Sequence, residues 1–204
     1  MHIYFVRHGE SEANLLREFS NRGWKHSLTE RGLEQARQLA MSLQAESIQH
    51  IYASPLMRAV QTADILGKAL HVPVSVTEAL REYDCGVLEG RLYAESRKQY
   101  HRVLEDWMER QNWESCIEEG ESFLDMQARF VPFLEEVQTT YPPDANLALV
   151  GHGGLYRCML PLVLANVDFA FAMQNSINYT DAIVAEWREG TWHCLSWGAT
   201  AMSS

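Results

Sequence analysis

The chain has 204 residues and a formal net charge of −10 at pH 7. That length fits one domain, or one domain with an inserted cap, and an apolar share of 47% suits a chain that buries a large core. The acidity speaks against a nucleic-acid or anionic-membrane surface, since both need a basic face.

The first predicted element is a strand over Ile3-Tyr4-Phe5-Val6, which stops on Arg7-His8-Gly9-Glu10. A polar loop over 11–28 follows and carries Asn14, Arg17, Asn21, Arg22, Trp24 and His26. A loop leaving a strand end is placed to line a site. The spacing of Leu33, Ala36, Leu39, Ala40 and Leu43 predicts a helix over 30–45, with Thr29 as N-cap. A second strand over 48–53 runs into Ser54-Pro55, read as the N-cap and first residue of a helix to about 69. Arg58 then lies in its first turn, where free amide groups already favour an anion. A short strand over 72–76 leads to the loop Leu80-Arg81-Glu82-Tyr83. A charged, aromatic helix over 93–112 reads as a cap, held down by Trp107 and Trp113. A long helix starts near Glu121-Ser122, and Pro132 inside it is expected to kink or split it. The strand Leu147-Ala148-Leu149-Val150 ends on Gly151-His152-Gly153 and a helix follows. The chain closes on a hairpin turning at Glu189-Gly190, with a tail over 199–204 expected to fray. Strands separated by helices predict an α/β fold with a mainly parallel sheet, helices on both faces and an antiparallel edge.

No charged start with an apolar run precedes the first strand, and no stretch approaches the roughly 18 apolar residues of a membrane span. Cys85, Cys116, Cys158 and Cys194 lie far apart. They read as reduced thiols, mostly core fillers, of a cytoplasmic protein. The sequence carries no common metal motif, and no metal or cofactor is expected.

Three strand ends carry the chemistry: Arg7-His8, Ser54 with Arg58, and His152. In an acidic protein, two arginines beside two histidines form a positive focus for an anionic substrate. A neutral imidazole with one nitrogen fixed can attack phosphorus through the other. His8, leaving a strand, fits that role, with Gly9 allowing the next peptide close to the phosphate. Arg7, Arg58 and His152 can stabilise the charge, and Glu82 is the best acid for the leaving group.

The pattern resembles the histidine phosphatase superfamily, which includes the cofactor-dependent phosphoglycerate mutases. Arg7-His8-Gly9-Glu10-Ser11 with Asn14 matches its opening motif. Leu28-Thr29 through Gln35-Ala36, Ser54 through Arg58-Ala59 and Gln61-Thr62-Ala63 match the next two. Leu80-Arg81-Glu82, Gly86 through Glu89-Gly90, Gly120-Glu121-Ser122 and Val150-Gly151-His152-Gly153 follow in order. The resemblance implies a three-layer α/β sandwich with cap elements at about 11–28 and 83–120. It implies a phosphohistidine on His8, a phosphoryl clamp of Arg7, Arg58 and His152, and Glu82 as proton donor. Asn14, Gly9 and Gly153 would bind substrate, without metal. Two positions depart from the family pattern: Leu88 where Trp is frequent, and Glu118-Glu119 where Pro or Gly is frequent.

Three functions compete on this reading. The favoured one is hydrolysis of a small phosphorylated metabolite. A cofactor-dependent phosphoglycerate mutase would use the same phosphohistidine, but its cap is usually longer, with a dedicated basic cluster. Here Arg97, Lys98, Arg102 and Arg110 are spread along a helix, which suits a solvated face. An inactive binding module would normally lack the nucleophile or an arginine. Trp24, Tyr83, Tyr93 and Tyr100 are candidates for an aromatic pocket wall. Oligomeric state is open, with a homodimer through the C-terminal hairpin as one option.

Overall fold

The structure, a computed structural model, describes residues 1–202. Strand β1 (His2–Arg7) lies inside a seven-stranded sheet of order β3-β2-β4-β1-β5-β6-β7. On one side β4 (Asn146–Gly151) runs parallel to it, with Ile3 opposite Leu147 and Arg7 opposite Gly151. Strands β2 (His50–Ala53) and β3 (Val74–Val76) continue the parallel half. On the other side β5 (Ala182–Arg188), β6 (Thr191–Trp197) and β7 (Thr200–Ala201) add the antiparallel edge.

The central strands are apolar without alternation because both sheet faces are covered. Tyr4, Val6, Ala148 and Val150 pack under α2 (Glu30–Ser42) and α3 (Met57–Leu70). Ile3, Phe5, Leu147 and Leu149 face α5 (Phe123–Thr140), α6 (Gly153–Val163) and the cap. Helix α7 (Phe169–Gln174) packs beside α6. This is the expected three-layer α/β arrangement.

The cap joins two segments. The first holds the short α1 (Glu12–Leu16), and the second holds α4 (Tyr93–Met108). They share backbone hydrogen bonds: Phe19 N–H donates to the Arg91 carbonyl at 3.0 Å and Tyr93 N–H to the Arg17 carbonyl at 2.7 Å. Trp107 is fully buried beneath α4, and its indole N–H donates to the Ser115 carbonyl. Arg97, Lys98 and Arg102 stand on the exposed face, as do Glu118 and Glu119.

Several expectations need correction. Helix α3 begins at Met57 with Leu56 as N-cap, not at Ser54-Pro55. Ser54 Oγ accepts the Leu56 N–H at 3.3 Å, so the hydroxyl closes a tight turn before the helix. Pro132 does not split α5. Pro132 and Ala128, four residues earlier, are both exposed, so water can serve the freed carbonyl while Met126, Phe130 and Leu134 hold the buried face. The tail is not simply frayed: Thr200 and Ala201 pair with Trp197 and Ser196 and cover part of the hairpin edge. Residues 203–204 of that tail lie outside the described residues. Among the described residues, no helix is long and apolar enough to cross a membrane.

Candidate active site

Strands β2, β4 and β1 are parallel neighbours, so their carboxyl ends lie side by side. That edge is where open α/β sheets bind ligands. It delivers Ser54, His152 and the Arg7-His8 pair to one place. Backbone bonds fix the edge: His8 N–H donates to the Gly151 carbonyl at 3.1 Å and Ser54 N–H to the Val150 carbonyl at 2.9 Å.

His8 is buried, and its Nδ1 lies 2.6 Å from the carbonyl of Gly9. A carbonyl only accepts, so Nδ1 carries the proton and Nε2 keeps the lone pair. Arg58 confirms the tautomer, because its Nε–H donates to Nε2 at 3.0 Å. Burial, then the charges of Arg58 and Arg7, hold His8 well below the ordinary imidazole range. The ring is therefore neutral, with its free nitrogen aimed at an arginine.

Arg58 is buried in the first turn of α3. Its Nη1 donates to the Ser20 carbonyl at 2.7 Å, and its Nη2 reaches Asn21 Oδ1 at 3.4 Å. Burial draws its pKa down to about 10, against the pull of Glu82 and Glu89. His152 lies beside it, its ring centroid 5.0 Å from that of His8. Its Nε2 meets Ser54 Oγ at 2.7 Å, which leaves Nδ1 toward Arg58 Nη2 at 3.4 Å. Burial and the same arginines keep this second ring neutral as well. Arg7 donates through Nη1 to the Ile177 carbonyl at 2.6 Å and lies 4.2 Å over the Tyr179 ring. Among the described residues its buried Nε has no partner. A buried donor without an acceptor is costly unless a ligand supplies one.

Glu82 is held by three backbone amides. Its Oε1 accepts from Leu155 at 2.7 Å and Tyr83 at 3.2 Å, and its Oε2 from Gly154 at 3.0 Å. The carboxylate thus occupies the N-terminus of α6. Gly154 makes this possible, since a Cβ there would lie 2.7 Å from Glu82 Oε1. Arg7, His8, Asn14, Arg58, Glu82 and Gly153 all line one cleft of about 300 Å³. The Asn14 amide is oriented by Ser11, whose N–H and Oγ both reach its Oδ1, so its Nδ2 is the end left for a ligand.

Gly9 does not serve as expected. Its N–H donates to Thr62 Oγ1 at 3.1 Å and it does not line the cleft. A Cβ on Gly9 would lie 2.6 Å from the Gly32 carbonyl, so Gly9 is small to let the strand end meet α2. Among the aromatics, Tyr83 and Tyr100 line the cleft, whereas Trp24 is 63% exposed and lies away from it.

Ser20 and Arg157 were not singled out in the sequence, and Asn21 and Ser54 were, but without the partners they take here. Ser20 and Asn21 fix Arg58, and Asn21 Nδ2 in turn donates to the Tyr83 carbonyl at 2.9 Å. Ser54 orients His152. Arg157 lines the cleft from the second turn of α6. Of the two not singled out, only Arg157 left a usable signal: it lies four residues beyond Gly153, hence on the same helix face.

Comparison with known proteins identifies the family. A family model described as histidine phosphatase superfamily (branch 1) matches residues 3–200. The chain is 32% identical over 199 residues to a probable phosphoglycerate mutase GpmB of Proteus mirabilis, across 94% of this chain and 90% of that one. A mycobacterial glucosyl-3-phosphoglycerate phosphatase solved with VO3 superposes with a TM-score of 0.83 at 25% identity, over 97% of this chain and 98% of that one. A putative alpha-ribazole-5'-P phosphatase from Escherichia coli shares the fold, with a TM-score of 0.80 at 21% identity over the full length of both chains. The order of strand ends, the paired histidines and the match over nearly the whole chain lead to one assignment: this chain belongs to the histidine phosphatase superfamily.

Proposed function

We propose that this protein is a metal-independent phosphatase that hydrolyses a small phosphomonoester through a phosphohistidine on His8. The observation that carries the reading is the state of His8: neutral, buried, proton on Nδ1, lone pair on Nε2 at the floor of an arginine-lined cleft. An entering phosphoryl group takes the Arg58 Nε–H from the ring nitrogen onto one of its oxygens and supplies the acceptor that Arg7 Nε lacks. Nε2 then attacks phosphorus, the P–N bond forms, and the bond to the ester oxygen breaks. Glu82 donates a proton to that leaving oxygen. Its Oε2 has a single amide partner and keeps a lone pair for the proton. In the second half, Glu82 takes a proton from water, the hydroxide oxygen attacks phosphorus, and the P–N bond breaks to release phosphate. Charge stabilisation comes from Arg7, Arg58 and His152, whose ring can accept a proton at Nδ1 once a dianion is bound. The acidic surface and the unbridged thiols support a small-metabolite enzyme of the cytoplasm.

A second reading has one specific support: the 32%-identical relative bears the name of a probable phosphoglycerate mutase. A mutase passes the phosphoryl group to a substrate hydroxyl instead of water.

The test is release of inorganic phosphate from p-nitrophenyl phosphate and a panel of phosphomonoesters with chelator present. Wild type should turn over and leave an acid-labile phosphoenzyme, and His8→Ala should lose both. Loss of activity in chelator, or turnover by His8→Ala, would sink the proposal. Turnover that needs a bisphosphorylated primer would favour the mutase.

A further inference from the structure

Beyond the phosphate centre, the cleft continues to a wall of Phe19, Tyr83, Tyr100 and Arg157. Arg157 is half-buried, and its Nε donates to the Gly153 carbonyl at 3.3 Å. Among the described residues no carboxylate pairs with its guanidinium, although Arg22, Arg81, Arg110 and Arg129 each have one. The acids that line the same cleft are committed elsewhere. Glu82 serves three amides, and Glu18 is bridged to Lys25 at 2.6 Å and His26 at 3.2 Å. Arg157 also stands near enough to Arg7 to disfavour the charge there. Three cations in one cleft, Arg7, Arg58 and Arg157, in a chain with ten more acidic than basic residues, call for a ligand with more than one negative group.

A second, independent feature lies on the same wall. The Tyr83 ring stacks on Tyr100 at 5.9 Å, and its buried hydroxyl lies close to that of Tyr100. The two rings give this wall an aromatic surface beside Arg157.

We infer that Arg157 is the specificity-determining residue of this cleft and that it takes a carboxylate on the leaving-group side of the phosphomonoester. A guanidinium fork matches a carboxylate in charge and in paired geometry. A second phosphate, with nearly two charges, would need a further cation, and Arg7 and Arg58 are occupied by the first. This inference rests on the phosphatase reading for the direction in which substrate lies, but its test does not use turnover.

The experiment is calorimetry on His8→Ala, which cannot consume its ligands, with the matched pair 3-phosphoglycerate and glycerol 3-phosphate. The two differ by a carboxylate against a hydroxymethyl group. The carboxylate probe should bind at least about tenfold tighter, as expected for a charge-assisted pair. That preference should fall to about twofold or less in the His8→Ala/Arg157→Met protein and be partly kept with Arg157→Lys. Equal binding of the pair, no binding of either, or a preference that survives Arg157→Met overturns the assignment. So does tighter binding of 1,3-propanediol bisphosphate than of 3-phosphoglycerate. Turnover of p-nitrophenyl phosphate by wild type is read in parallel. Its absence with the carboxylate preference intact would discard the phosphatase and keep the subsite, and the converse result would do the reverse.

Discussion

The two ends of the cleft are built in opposite ways. At the phosphate end, His8, Arg58 and His152 are buried and braced on one another or on backbone carbonyls. The outer end is lined by Tyr100 and Arg157, which are partly exposed and sparsely bonded. The inner end hangs on the ends of neighbouring parallel strands, whereas the outer end draws on the cap and one face of α6. On the proposed function, the braced end holds the chemistry and the open end the selectivity. A group that must not move as charge develops is fixed by scaffold, and a group that reads the rest of the substrate is left open to it.

That contrast can be broken by substitution. Arg58→Lys removes the fork that links His8, Ser20 and Asn21, and should lower kcat/KM for p-nitrophenyl phosphate by roughly 10²- to 10³-fold. Gly154→Ala pushes a methyl group into the Glu82 carboxylate and should lower kcat by about 10²-fold, with a melting temperature near that of wild type. Were Gly154→Ala fully active, Glu82 would not be held where the leaving oxygen needs it. Ser54→Ala frees His152 and should lower kcat about tenfold, with about 1 kcal/mol of stability lost in urea unfolding.

The inner end also predicts a pH dependence. His8 and His152 are neutral when folded, with pKa values well below those of the unfolded chain. The unfolded state therefore binds more protons below about pH 6.5. Stability should fall with pH from there, with each histidine contributing up to about 1.4 kcal/mol per pH unit. Urea midpoints from pH 7.5 to 5.5 would measure the slope, and His152→Gln should flatten it by about one proton. A slope unchanged in that variant would mean that His152 is already protonated in the fold. The smallest effect belongs to the outer end: Tyr100→Phe should alter p-nitrophenyl phosphate turnover by less than about threefold. A loss as large as that of Arg58→Lys would erase the distinction between the two ends.

Much of the inner end was legible because each residue is tied to a local element. Arg7-His8 ends an apolar run, Arg58 opens a helix, and His152 repeats the strand-end design. Their convergence needs only that parallel neighbours align their carboxyl ends. Ser54 was legible as a turn residue but not as the partner of His152, since an N-cap and a tight turn use the same hydroxyl in ways that sequence cannot distinguish. Asn21 was legible only as one polar residue of a loop beside a strand end, and Ser20 not at all, because a loop has no periodicity. Gly9 misled for a related reason: a small residue beside a nucleophile can serve a ligand or a neighbouring helix, and the Gly32 carbonyl decides for the helix.

By itself, then, the sequence determined the elements, the α/β order, the family motifs and the residues that stand at strand ends, all consequences of local periodicity and adjacency. The tertiary structure decided which His8 nitrogen is free, what holds Glu82, and that Arg157 reaches the cleft unpaired. Those are contacts between segments separated by 50 to 94 residues, for example Arg58 with His8 and with His152. Hydrogen-bond direction and desolvation depend on what the folded chain brings together, and no local pattern encodes them.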